Sequence, residues 1–142
     1  MGKLLERLKD ASRSGVYRSA DDAVILEVVR GSGLDTVQVS FEGLKGKEDL
    51  LRTLAADLGF PKWFGGNWDA LEDCLSDLSW RDAQGWVLIL RSFEGLPHDD
   101  FGVLVEVLAS AAESWAERGK LFFAVFVDPR RSLALPDLYK ET

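Results

Sequence analysis

Cysteine, histidine and methionine occur once each in this 142-residue chain, and proline only four times. A single cysteine, Cys74, has no partner for an intramolecular disulfide, which points to a reducing compartment. It lies among acids, which raise a thiol pKa, so Cys74 reads as a packed side chain rather than a nucleophile. The one histidine, His98, stands in a Pro-His-Asp-Asp stretch ahead of a helical pattern, and neither a Ser-His nor a Cys-His pair is suggested. No apolar run is long enough to span a bilayer. The start MGKLLERLKD lacks the apolar core of a signal peptide, and Glu6 stands where myristoylation needs Ser or Thr. A cytoplasmic location is the expectation. The Gly65-Gly66 pair has no GxGxxG frame, and no Walker loop appears. Bases are also scarce: 17 Lys and Arg face 24 Asp and Glu, for a net charge of −7. An acidic domain repels phosphate backbones, so direct nucleic-acid binding is disfavoured and a basic protein partner favoured.

What is present is enough for one domain. Hydrophobic residues make up 46% and charged residues 29%, which supplies a core and argues against disorder. Leu4, Leu5 and Leu8 suggest a short amphipathic helix, SRSG breaks it, and GVY suits a brief extended piece. Residues 20–30 fit a helix ending at Gly31, but AVILEVV is rich in β-branched residues and fits a strand nearly as well. TVQVSF alternates Val37, Val39 and Phe41 to one face as a strand. Leu50, Leu51, Leu54 and Leu58 have helical spacing and stop at Gly59. Residues 67–78 read as the next helix, with Asn67 as its cap. WVLIL and LFFAVFV are strands buried on both faces. Residues 99–118 between them form a long helix that Gly119 closes. The pattern predicts an α/β fold, with a small parallel sheet of three strands or slightly more and helices packed on it.

The stretch FPKWFGGNWDALEDCL, residues 60–75, is the anomaly. No Lys or Arg occurs between Lys62 and Arg81, yet Asp69, Glu72, Asp73 and Asp77 fall there. On a helix over 67–78, Trp68, Leu71, Leu75 and Leu78 share one face. Asp69, Asp73 and Asp77 share the other. A solvated face gives the bland account, but each like-charge pair at i,i+4 costs about 0.2–0.5 kcal/mol. The helix dipole also opposes Asp77 near the C-terminus. A pattern that costs stability favours a functional reading. On the long helix, Phe101, Leu104, Val105, Leu108, Ala112 and Trp115 form the buried stripe. Glu106, Glu113 and Glu117 lie opposite, where Arg118 is placed to offset them. Phe64 suits a core plug, whereas Trp63 beside Gly65-Gly66 suits an interface anchor. Those glycines supply close backbone approach or a positive φ. Trp68 fits core and interface equally.

These same residues resemble the barstar family of ribonuclease inhibitors: Pro, two aromatics, Gly, Asn, Asp-Ala-Leu, then Asp-Cys-Leu. The similarity runs from about Val37 to Val127 and takes in WVLILRSFE and GKLFFAVFV. It implies a bacterial inhibitor that plugs the basic active site of a barnase-like secreted ribonuclease, with carboxylates on a rigid helix imitating phosphates. By position, Trp63 stands where the family has a tyrosine that touches the enzyme, and Gly65 and Asn67 match its binding loop. Asp69 and Asp73 match the two helix aspartates that meet the enzyme's cations. With Trp68 and Glu72 alongside them, and Glu113 as the acid nearest the family's helix glutamate, they form the expected partner-binding set. Glu72 replaces a family aromatic and Gly66 a family glutamate, while Trp80 matches a family tryptophan only after a longer turn.

The resulting division is an N-terminal extension over 1–34 (short helix plus helix or strand), a barstar-like domain over 35–128 and a C-terminal tail over 129–142. Charge supports it: residues 1–34 hold six bases and five acids, and residues 35–142 hold 11 and 19. No catalytic residue, metal or cofactor is expected, and the free chain is expected to be a monomer. Two rival classes remain. One is an immunity or interaction module for a different basic toxin or nuclease. The other is a hydrolase using Asp69 and Asp73 as acid and base, or a weak Mg²⁺ site at Asp69, Glu72 and Asp73.

Overall fold

The computed structural model describes residues 2–139; Met1 and residues 140–142 of the expected tail lie outside the described residues. In chain order the elements are α1 (Gly2–Leu8), β1 (Gly15–Ser19), α2 (Ala23–Val29), β2 (Asp35–Ser40), α3 (Lys47–Leu58), α4 (Trp68–Leu75), β3 (Gly85–Arg91), α5 (His98–Glu117) and β4 (Leu121–Val127). The strands form one parallel sheet in the order β1-β4-β3-β2. The fold is therefore α/β, with a sheet one strand larger than three. Among the described residues, no helix is long and apolar enough to cross a membrane.

The two unbroken apolar runs take the centre, as a sheet covered on both faces requires. Trp86, Leu88 and Leu90 of β3 and Phe122, Ala124 and Phe126 of β4 face one cluster. There they meet Leu50 and Leu54 of α3, Leu71 and Leu75 of α4, and Leu104 and Leu108 of α5. Val87, Ile89, Phe123 and Val125 face the other, with Leu4, Leu8, Ile25, Val29 and Leu138. Gly85 opens β3 because β4 approaches closely there. A Cβ at this position would collide with the side chain and backbone of Leu121.

Residues 2–34 thus do more than extend the chain. β1 pairs with β4 from Gly15 to Ser19, and α1 and α2 cover the second face. The ambiguous segment is a helix, Ala23–Val29, despite its β-branched residues. Its buried residues, Ile25 and Val29, are one turn apart, and an Asp21 carboxylate oxygen accepts from the Ala23 amide at 3.1 Å. Tertiary burial overrides local preference.

The chain after β4 returns along the outer edge of β1. The Arg18 amide donates to Pro136 O, and the Leu138 amide to Arg18 O, both at 2.9 Å. The Arg18 side chain donates to Asp137 Oδ1 at 2.9 Å and to Leu133 O at 2.7 Å. Arg131 donates to the other Asp137 oxygen at 3.0 Å. These bonds hold the Asp137 carboxyl below the usual aspartate range, the Arg18 bond contributing most. Asp128 is also held low. Burial pushes it up, but bonds from the Leu133 and Ser132 amides and the Ser132 hydroxyl outweigh that.

Two outcomes follow. Deleting residues 1–18 removes Leu4, Leu8 and Val16, all buried, at about 1.5–3 kcal/mol each. The sum, roughly 5–9 kcal/mol, rivals the whole stability of an ordinary domain. The truncated chain is expected to lose its cooperative urea transition; an intact transition would show that residues 1–18 are a mere extension and that the second face can remain open. Asp128 and Asp137 have lowered folded pKa values, so their contribution is present above the unfolded aspartate value. It is lost as pH falls through the folded values. Asp137→Asn is therefore expected to lower the urea midpoint at pH 7, with the gap from the parent closing as pH falls below about 3.9.

Candidate functional site

The site is assembled at the opposite end of the sheet from the Arg18 cluster, where α3 ends and β2 and β3 begin. Gly59, with φ 67°, closes α3, and the Phe60 amide returns to Ala55 O at 2.9 Å, the bonding of a left-handed helix cap. The Phe64 amide donates to Pro61 O at 3.1 Å, making a tight turn of 61–64. Phe64 tucks against Phe60, ring centroids 5.0 Å apart, and is half-buried against the core. Trp63 points outward and is 59% exposed. Gly66 needs its glycine, with φ 70°. Gly65 does not: a Cβ there would meet Asn67 and Ala70 at ordinary contact distances of 3.5 and 3.7 Å. Of the two explanations for the pair, positive φ applies to Gly66 alone.

Asn67 then starts α4. Its backbone is extended, and its Oδ1 accepts from the Ala70 amide at 2.8 Å, which satisfies a donor that helix geometry leaves free. Trp68 is half-buried against the core, and Glu72 is half-buried. Asp69 and Asp73 are exposed, one turn apart on the outer face.

Two sequence expectations need correction here. The helix ends at Leu75, not at residue 78, so Asp77 lies in the following turn and extends the acidic face without belonging to the helical stripe. The cause lies in the neighbouring helix. Trp115 Nε1 donates to Leu75 O at 2.7 Å, and Arg118 donates to Ser76 O at 2.6 Å. These bonds take up terminal carbonyls of α4. Arg118 also stacks on Trp115, 3.7 Å from the ring centroid, and bonds Ser114 Oγ at 3.0 Å. It therefore sits at the negative end of the α4 dipole and forms no ion pair with Glu106, Glu113 or Glu117. Arg118 offsets part of the electrostatic cost of the acids on α4.

Among the described residues, Asp69, Glu72, Asp73, Asp77 and Glu113 form no salt bridge, although six such pairs form elsewhere. Their field is felt at Cys74, whose thiol is pushed up to about 11, first by burial and then by Asp73 and Asp77. Cys74 is fully buried and belongs to the core. Glu113 is exposed on α5, and the bonds that tie α5 to α4 come from Trp115 and Arg118 instead. The structure brings Trp63, Gly65, Asn67, Trp68, Asp69, Glu72 and Asp73 into one continuous loop and helix, with Glu113 on a separate element. Among the described residues, no group of three or more His, Cys, Asp or Glu is arranged to hold a metal ion.

Sequence reasoning left Trp80 without a role. Its Nε1 donates to Leu58 O at 3.0 Å, and its ring meets those of Phe60 and Trp63 edge-on at 5.9 and 6.3 Å. The available signal was the number of aromatics, five within residues 60–80, which is more than one exposed anchor needs.

A parallel α/β domain with an aromatic loop and an unneutralised acidic helix on one surface is the class that this geometry defines. A family model described as Barstar (barnase inhibitor) matches residues 34–127. The chain belongs to the barstar family. The match takes in β2 to β4 and leaves β1, α1, α2 and the returning tail outside it. No curated protein matches the chain. Among solved structures, a chain of the Aeropyrum pernix ORC2 protein in ADPNP-ADP complexes is similar with a TM-score of 0.57 at 17% identity, covering 88% of this chain and 37% of that one. A chain from Drosophila ORC bound to AT-rich DNA and Cdc6 is similar with a TM-score of 0.48 at 12% identity, covering 90% and 43%. The chain spans less than half the length of either. At such identity the first likeness concerns the parallel α/β fold alone.

The cap gives a test of how α4 is held. Asn67→Ala is expected to lower unfolding free energy by about 0.5–2 kcal/mol, as loss of a helix cap does, read from urea midpoints at unchanged m. An unchanged midpoint would mean that packing against α5, not the cap, fixes the start of α4.

Proposed function

We propose that this chain inhibits a small basic ribonuclease of the barnase type, covering its active site with the 60–67 loop and α4. One observation carries the reading: the exposed carboxylates of Asp69 and Asp73 share a rigid helix beside an exposed tryptophan and have no cation of their own. A ribonuclease cleft must attract phosphate and is lined with cations. Carboxylates fixed in place meet those cations without reorganising, steer the encounter and form charge-assisted hydrogen bonds once water leaves. Trp63 supplies the apolar anchor, and Asn67 and Gly65 offer backbone and amide groups at the rim. Glu113, on its own helix, is a peripheral candidate.

A different basic nuclease or toxin is the second reading. It is favoured by Glu72, which adds an acid where the family has an aromatic, and by Gly66, which removes one where the family has a glutamate. The two substitutions move negative charge from the loop onto the helix, so the cognate cleft is expected to carry its cations correspondingly placed. Either way the partner is a basic protein, and the free chain is proposed to be a cytoplasmic monomer.

Asp73→Ala tests the reading. In the complex it leaves partner cations buried without a counter-charge, a loss of roughly 2–5 kcal/mol; barnase–barstar is itself the reference system for such charge pairs, and the range is borrowed from that interface type. In the free protein it relieves repulsion from Asp69 and Asp77. The variant is expected to inhibit a purified barnase-like ribonuclease at least 30-fold less well, while its urea midpoint stays the same or rises. Normal inhibition by Asp73→Ala, or inhibition lost in step with unfolding, would place the inhibitory surface elsewhere.

A further inference from the structure

Trp63 is one of two large hydrophobic residues exposed among the described residues, at 59% against 38% for Leu5. It precedes Gly65 and Gly66, in a loop with little of its own to hold a side chain. A freely rotating anchor loses that freedom on binding, which weakens the complex. What holds the Trp63 ring is Trp80, 17 positions away in the chain and edge-on at 6.3 Å and 83°.

Trp80 is itself fixed from several sides. Its Nε1 is tied to Leu58 O at the end of α3, and Phe60 packs edge-on against it at 84°. The turn that delivers it is anchored at both ends. Leu78, fully buried, takes a left-handed backbone with φ 47°, and its amide donates to Cys74 O at 3.1 Å. Next to Trp80, Arg81 grips Asp35 of β2 with two bonds of 2.7 and 3.1 Å. Its carbonyl accepts from Trp86 Nε1 at 2.9 Å. A non-glycine residue in the left-handed region persists only where its surroundings over-determine it, and such strain clusters at functional sites. Here it reverses the chain after α4 and sets one indole beneath another.

We propose that Trp80 is a positioning residue for Trp63, holding the anchor in its binding orientation before the partner arrives. This rests on the inhibitory surface proposed above and adds to it a residue outside the loop and helix. Trp80 acts through Trp63, so the two must be coupled.

A double-mutant cycle reads that coupling, using inhibition of a purified barnase-like ribonuclease. Trp80→Leu is expected to weaken inhibition by roughly threefold to tenfold, the range expected from ordering one large side chain. In a Trp63→Ala background the same change is expected to add nothing. Trp80→Phe keeps an aromatic edge, so it is expected to retain inhibition within about twofold. It also removes the Trp63–Trp80 part of the indole–indole exciton signal from the circular dichroism spectrum, leaving the part from Trp86 and Trp115, whose rings lie 4.5 Å apart; the difference from the parent tests the ring pairing even if Trp80→Leu folds poorly. Equal losses from Trp80→Leu with and without Trp63 would overturn the positioning role and leave the inhibitory surface standing. No loss from Trp63→Ala alone would overturn the anchor and, with it, the role of Trp80. An exciton signal unchanged in Trp80→Phe would show that the rings are not paired in solution.

Discussion

Six consecutive buried residues in each of β3 and β4 have to be screened from water on two sides at once. That requirement shapes the rest. One face is closed by α3, α4 and α5, which the chain supplies between β2 and β4. The other is closed by α1 and α2, which lie before β2 and outside the family-matched residues. With the core settled by β3, β4 and their helices, α4 is held at the rim by its buried stripe of Leu71, Cys74 and Leu75. Its outer face is then free to carry charge that contributes nothing to folding. The proposed binding chemistry and the stability of the fold then fall on opposite sides of the same eight-residue helix.

The electrostatics follow from that division. Carboxylates with no partner repel one another in the free protein, and the chain tempers the effect without neutralising it. Arg118 serves the carbonyl end of α4 and leaves the carboxylates themselves open. Elsewhere some charges are paired, as Arg81 is with Asp35 and Arg18 with Asp137. The unpaired acids of α4 stand out by their place, one turn apart on a rigid helix on the surface where Trp63 is also exposed. Two features that each reduce the comfort of the free protein occur side by side, and the proposed basic partner would relieve both.

Much of this was legible in the sequence, and the exceptions have physical causes. WVLIL and LFFAVFV could only be central strands, and the leucines at 50, 51, 54 and 58 could only be one buried helical stripe. Asn67 announced its cap. AVILEVV was ambiguous because propensity and periodicity disagree there, and the crossover from β1 to β2 over the second face decided for helix. The early end of α4 was hidden because it depends on donors 40 and more residues away, Trp115 and Arg118. Arg118 was misassigned for a related reason: its sequence neighbours are glutamates, but its ring and carbonyl partners lie on the side facing α4. Trp80 owes its importance to a left-handed turn at Leu78, and nothing in the residue type of leucine signals that.

Partner recognition is proposed on one surface, the 60–67 loop with α4 and Glu113 at its periphery, with no part for α1, α2 or the tail along β1. Amide hydrogen exchange of the chain with and without a saturating barnase-like ribonuclease measures that directly. Slowed exchange is expected at residues 60–73 and in the turn through Trp80, with α1, α2 and the tail along β1 unchanged. Protection centred instead on α1 and α2, or on the Arg18–Asp137 end of the sheet, would contradict it.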